Sequence, residues 1–173
     1  WVASEFQSFS GVTVVPVNRV LAELALWGQT AIQTPADAKE LARAFDADAT
    51  VVVAITEYDP YDPPVVGLVM QWYGLRSPAQ RTDFDPVAAS RYAADPSHEL
   101  SAEPTDAPRW QDQRVFNAAD ERLLDRIRDF AAERAGHQSP YGWRKYTKSQ
   151  EAYVRYCSWE VIRSILLLET ANR

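Results

Sequence analysis

Apolar positions recur with two different spacings along the chain, and the changes of spacing mark its elements. The β-branched run Val12-Thr13-Val14-Val15-Pro16-Val17, which follows Gly11, predicts a strand that Pro16 ends or places at an edge. Asn18 then offers a cap for a short helix in which Leu21, Leu24 and Ala25 share one face and Gly28 supplies a left-handed stop. A second helix starts on stronger signals, with Thr34 as N-cap, Pro35 at the first helical position and Asp37 in the first turn. Ala38, Leu41, Ala42 and Phe45 form its apolar stripe, and the turn at 46–48 leads out. Val51-Val52-Val53-Ala54-Ile55 has no polar alternation, which predicts a central strand covered on both faces, with Thr56-Glu57-Tyr58 as its polar end.

Three prolines in Asp59-Pro60-Tyr61-Asp62-Pro63-Pro64 fix φ and withdraw backbone donors, so this stretch is a stiff turn. Residues 65–73 return from it as an antiparallel strand. From 76 to 109 the chain is rich in Pro, Ala, Ser and Asp without periodicity. That composition predicts a loop insertion, partly ordered by Phe84 and Tyr92 and open to proteases. Helical spacing resumes with Asn117 as cap and Leu123, Leu124, Ile127, Phe130 and Ala131 on one face, ending near Ala135 before Gly136. A last helix is expected from about Ser149, burying Tyr153, Cys157, Val161, Ile165 and Leu168.

This order of elements predicts an α/β fold. It is read as a single domain spanning 1–173, with a mixed sheet of few strands packed by helices and a Pro-rich loop insertion at 76–109. The first two strands flank helical segments and are free to run parallel.

Composition then narrows the function. A hydrophobic share of 46% and a charged share of 24% are those of a packed globular domain. The net charge of −6 argues against a general nucleic-acid binder, which relies on clustered Lys and Arg. Cys157 is the only cysteine, so neither an internal disulfide nor a cysteine-based zinc site can form. No segment reaches the roughly 18 apolar residues of a membrane span. Trp1 opens the sequence with no targeting segment, which suggests a processed or trimmed product.

Candidate chemistry concentrates in the turn. Tyr58, Asp59, Tyr61 and Asp62 form a candidate binding lip, with aromatics and carboxylates held on a stiff backbone. Glu57 and Asp59, two apart on one side of a strand, with Asp62 beside them, leave open a carboxylate-dependent glycan hydrolase. A purely structural turn accounts for the same residues. His98 and His137 have no Cys or carboxylate at ligand spacing, so no metal site is expected. With neither a Gly-x-Ser-x-Gly elbow nor a Gly-rich phosphate loop, no cofactor and no catalytic residue is assigned. Trp110, Trp143, Tyr146, Tyr153, Tyr156 and Trp159, interleaved with Arg144, Lys145 and Arg155, could stack nucleic-acid bases in an intracellular ligand- or nucleic-acid-binding module, but core and cation–π packing is the favoured reading. Cys157 reads as a buried small hydrophobe.

Asp37-Ala38-Lys39-Glu40-Leu41-Ala42, then Ala47-Asp48-Ala49-Thr50-Val51-Val52-Val53, then Ile55-Thr56-Glu57-Tyr58 resembles a segment of cell-envelope lipoproteins in the broad group that includes the curli-secretion protein CsgG and the TolB amino-terminal domain. The Tyr-Asp-Pro-Tyr-Asp-Pro-Pro turn is similar to that of uncharacterised planctomycete-type envelope lipoproteins. Val115-Phe116-Asn117-Ala118 and Ser149-Gln150 look like later parts of the same chains. The resemblance covers about half of the chain and brings no catalytic residue. It implies a non-enzymatic extracytoplasmic domain with an anticodon-binding or TolB-like α/β sandwich, binding or scaffolding a protein partner in envelope assembly or secretion. A membrane would be reached only through an upstream lipid anchor, and a homo-oligomer is compatible with this reading. The chain departs from the group at its start, where such domains have a further strand and helix before the strand expected at Val12.

Overall fold

The structure, a computed structural model, describes residues 1–75, 107–134 and 140–171. The expected insertion at 76–109 and both histidines therefore lie largely or wholly outside the described residues. The helices are α1 (Val2–Phe6), α2 (Val17–Leu26), α3 (Pro35–Ala44), α4 (Glu121–Glu133), α5 (Lys145–Lys148) and α6 (Gln150–Ala171). The strands are β1 (Ala49–Asp59), β2 (Val65–Gly74) and β3 (Trp110–Asn117). They form one sheet in the order β1-β2-β3, antiparallel throughout. The α/β class expected from the sequence is what the chain adopts.

The strand expected at 12–17 is not formed. Pro16 occupies the N-cap position of α2, and residues 12–15 form no regular secondary structure and do not join the sheet. With no strand on that side, no parallel pairing occurs among the described residues, and β1 is an edge strand, not the centre. Its valines are half-buried and Ile55 is 57% exposed, whereas Val66, Leu68 and Met70 of β2 are buried. An unbroken apolar run does not distinguish a strand covered on both faces from one covered along part of its length; that depends on neighbours the run does not encode.

One sheet face carries the main core. Phe116, Leu68, Met70 and Val66 meet Leu123, Ile127, Phe130 and Ala131 of α4 and Tyr153, Tyr156, Cys157, Val161, Ile162 and Ile165 of α6. Leu168, expected in that core, is 41% exposed. Side chains alternate along β2, so Tyr73 points to the opposite face, where it is buried near α3 with Ala38, Leu41 and Ala42. α3 forms as its cap signals require. The Thr34 hydroxyl accepts the Asp37 N–H at 3.2 Å, and the Asp37 carboxylate accepts the Thr34 N–H at 2.9 Å. That backbone hydrogen bond lowers the Asp37 pKa. In α2 only Leu24 is buried; Leu21 is exposed, Asn18 lies inside the helix, and Gly28 holds φ +71° at the stop. α4 is capped by Asp120, because Asn117 still belongs to β3.

One irregularity positions the turn. Ile55 pairs with Leu68 and Glu57 with Gly67, so Thr56 is an extra residue in β1. Without this bulge the alternation would aim Glu57 and Asp59 at α6. With it, Tyr58 pairs with Val66 on the core face and the two carboxylates turn to the open face. Gly67 makes room for the bulge, since a Cβ there would lie 2.6 Å from Thr56 Oγ1 and 3.0 Å from Glu57 Cβ. Gly67→Ala is therefore expected to lower stability by about 1–3 kcal/mol, as read from the urea midpoint. A variant as stable as the parent would show that the bulge yields freely.

Candidate functional site

The lip is built on the end of β1 and held from three directions. Tyr58, aimed by the bulge, donates its hydroxyl to Gln150 Oε1 at 3.0 Å, at the start of α6. Asp62 forms an ion pair with Lys148 at the end of α5. The Pro64 carbonyl accepts the Ala118 N–H at 3.0 Å, which ties the turn to the chain just past β3. Within the turn, Asp59 Oδ1 accepts the Tyr61 N–H at 3.0 Å, the side-chain-to-backbone bond that favours Asp at such positions. Three of the four lip residues thus shape the turn. The fourth, Tyr61, is 80% exposed and its ring is presented to solvent.

The carboxylates considered for glycan hydrolysis are not enclosed as an acid–base pair. Glu57 and Asp59 are exposed on the open face, and Asp62 is engaged with Lys148. They lack the apolar enclosure that prepares a carboxylic acid for proton donation. Among the described residues, no cluster of three or more His, Cys, Asp or Glu side chains is arranged to hold a metal ion. No described helix is long and apolar enough to cross a membrane.

The late aromatics are packing groups. Tyr146, Tyr153 and Tyr156 are buried, and Trp110, Trp143 and Trp159 pack half-buried against the core. Two of the three basic residues among them lie over rings, Arg144 at 5.1 Å from the Trp143 centroid and Lys145 at 5.3 Å from that of Tyr146. Cys157 is fully buried, and burial pushes its thiol well above the ordinary range, as befits an inert small hydrophobe.

A feature that sequence reasoning missed lies beside the lip. Glu5 of α1 is fully buried and accepts Arg134 Nη1 at 2.8 Å and Arg155 Nε at 2.7 Å. The latter hydrogen bond raises the Arg155 pKa, so its guanidinium stays charged. Over this triad opens a cleft of about 390 Å³, walled by Phe130 and Tyr146 and rimmed by Arg134, Lys145, Glu151 and Arg155. The lip and the cleft share one stretch of chain, since Lys148 and Gln150 hold the lip while Lys145, Ser149 and Glu151 line the cleft. No signal local to Glu5 announces it, because its partners lie 129 and 150 residues away.

Comparison of the chain with known protein families, curated proteins and solved structures gives no match.

Proposed function

We propose that this is a non-enzymatic binding or scaffolding domain that engages a protein partner through the turn at 58–64. We place it outside the cytoplasm, in a setting like that of the envelope lipoproteins its sequence resembles. The observation that carries the reading is the Tyr61 ring, exposed on a backbone pinned to α5, α6 and the end of β3. Such a residue offers a large amphipathic contact area with little conformational freedom left to lose on binding. The exposed position of Glu57 and Asp59 favours binding over glycan hydrolysis.

Tyr61→Ala tests this. An exposed side chain contributes less than about 0.5 kcal/mol to stability, so the variant is expected to melt within a few degrees of the parent. Capture of envelope-extract proteins by the immobilised domain should fall sharply, since an aromatic anchor commonly contributes about 2 kcal/mol or more to an interface. A large drop in melting temperature would mark Tyr61 as a structural plug, and unchanged capture would remove the lip from the interface.

A further inference from the structure

We propose that the cleft between the end of α4 and the start of α6 binds a small anion, a carboxylate or phosphate carried on an apolar ring. The proposal does not depend on the lip. Three cations and one carboxylate rim the cleft, and Glu5 beneath offsets one more positive charge. The site is left with a net charge of +1 on a chain of net charge −6.

The donors are available. Arg155 directs Nε to Glu5, and its two Nη groups make no hydrogen bond to described residues. Lys145 meets no carboxylate among the described residues; its contact is with the ring of Tyr146. Because Glu5 is buried and bonded to both arginines, the guanidiniums are fixed in place before a ligand arrives, which lowers the ordering needed on binding. The N-terminus of α6 adds to the favourable potential, its Ser149 hydroxyl already accepting the Ala152 N–H at 3.3 Å.

The walls define the rest of the ligand. Phe130 and Tyr146, packed edge to face at 5.1 Å, close the floor of the cleft with ring edges beside the charges. The volume lies at the small end of ligand cavities and is sufficient for a single ring with one anionic group. Glu151 opposes an anion from the rim, which gives the site a built-in sign test.

Phenyl phosphate and benzoate serve as probes, with benzyl alcohol as the neutral control, in calorimetric titrations of the parent, Lys145→Ala and Glu151→Gln at low ionic strength. At least one aryl anion is expected to bind the parent at a single site, more weakly as salt rises, with benzyl alcohol binding far less. Losing one charge-assisted contact corresponds to about tenfold, so Lys145→Ala should weaken binding by that factor. Glu151→Gln should tighten it. Both positions are exposed, so the fold should survive, as melting curves will verify. Failure of both aryl anions to bind the parent overturns the proposal. Affinity unchanged by Lys145→Ala, or weakened by Glu151→Gln, overturns it equally.

Discussion

Phe130→Ala is expected to destabilise the domain by about 3–5 kcal/mol, the range for deleting a buried aromatic ring. Phe130 is 2% exposed and joins three helices. From α4 it meets Tyr146 of α5 edge to face at 5.1 Å, and Tyr156 and Trp159 of α6 at 5.2 and 4.7 Å. Arg134 lies over the same ring at 4.7 Å. Removing the ring leaves a void that rigid neighbours cannot fill, and it frees the arginine that reaches Glu5. For a chain of this size the melting temperature should fall by roughly 10 °C. Urea unfolding should show a lower midpoint with an unchanged slope. Phe130→Leu, which keeps much of the volume, should lose far less. If the two substitutions have equal effects, most of the loss comes from the edge-on ring contacts and little from the void; a loss below about 1 kcal/mol would mean that the helices repack without this ring.

Glu5→Ala should be nearly as damaging, at about 3 kcal/mol, the lower part of the range for breaking a buried ion pair. The Glu5 side chain is 1% exposed, whereas those of Arg134 and Arg155 are 29% and 43% exposed. Water can therefore recover part of what the two guanidiniums lose, and this holds the effect below the maximum. The network also extends locally, since Arg134 Nη2 donates to Ser8 Oγ at 3.0 Å and Ser8 Oγ donates to the Glu5 carbonyl at 2.7 Å. A triple variant with Glu5→Leu, Arg134→Met and Arg155→Met separates two origins of the loss. If the penalty comes from orphaned charges, the triple variant should be more stable than Glu5→Ala alone. If it is equally unstable, the ion triad itself holds α1 in place.

The elements legible in the sequence are those whose signals are local. The Thr34-Pro35-Asp37 start of α3 needs only neighbouring residues to form, and its capping box is present in full. The stripe of Leu123, Ile127, Phe130 and Ala131 is equally self-contained, and all four are buried. β3 escaped notice for a physical reason. On its core-facing side Asp112 and Arg114 stand between Trp110 and Phe116, so an apolar period of two is absent. Those two charges pair with each other, Arg114 Nε donating to Asp112 Oδ1 at 3.0 Å and Nη2 to Ser164 of α6 at 2.7 Å. The Thr56 bulge was hidden for a similar reason, since one extra residue in a strand of small and β-branched side chains leaves no mark on composition. The stiffness of the lip could be read from its prolines, but its anchors at Lys148 and Gln150 could not, being 86 and 92 residues distant.

The anchoring of α1 sets an order of events during folding. A helix of five residues has too few internal hydrogen bonds to persist alone. Its buried carboxylate has no partner until Arg134 and Arg155, separated from it by 129 and 150 positions, are brought into register by the docking of α4 and α6. Loop closure over such spans is among the slowest contacts a chain makes. The α1 residues are accordingly expected to order last, and pulsed hydrogen exchange should show their amides gaining protection after those of α4 and α6.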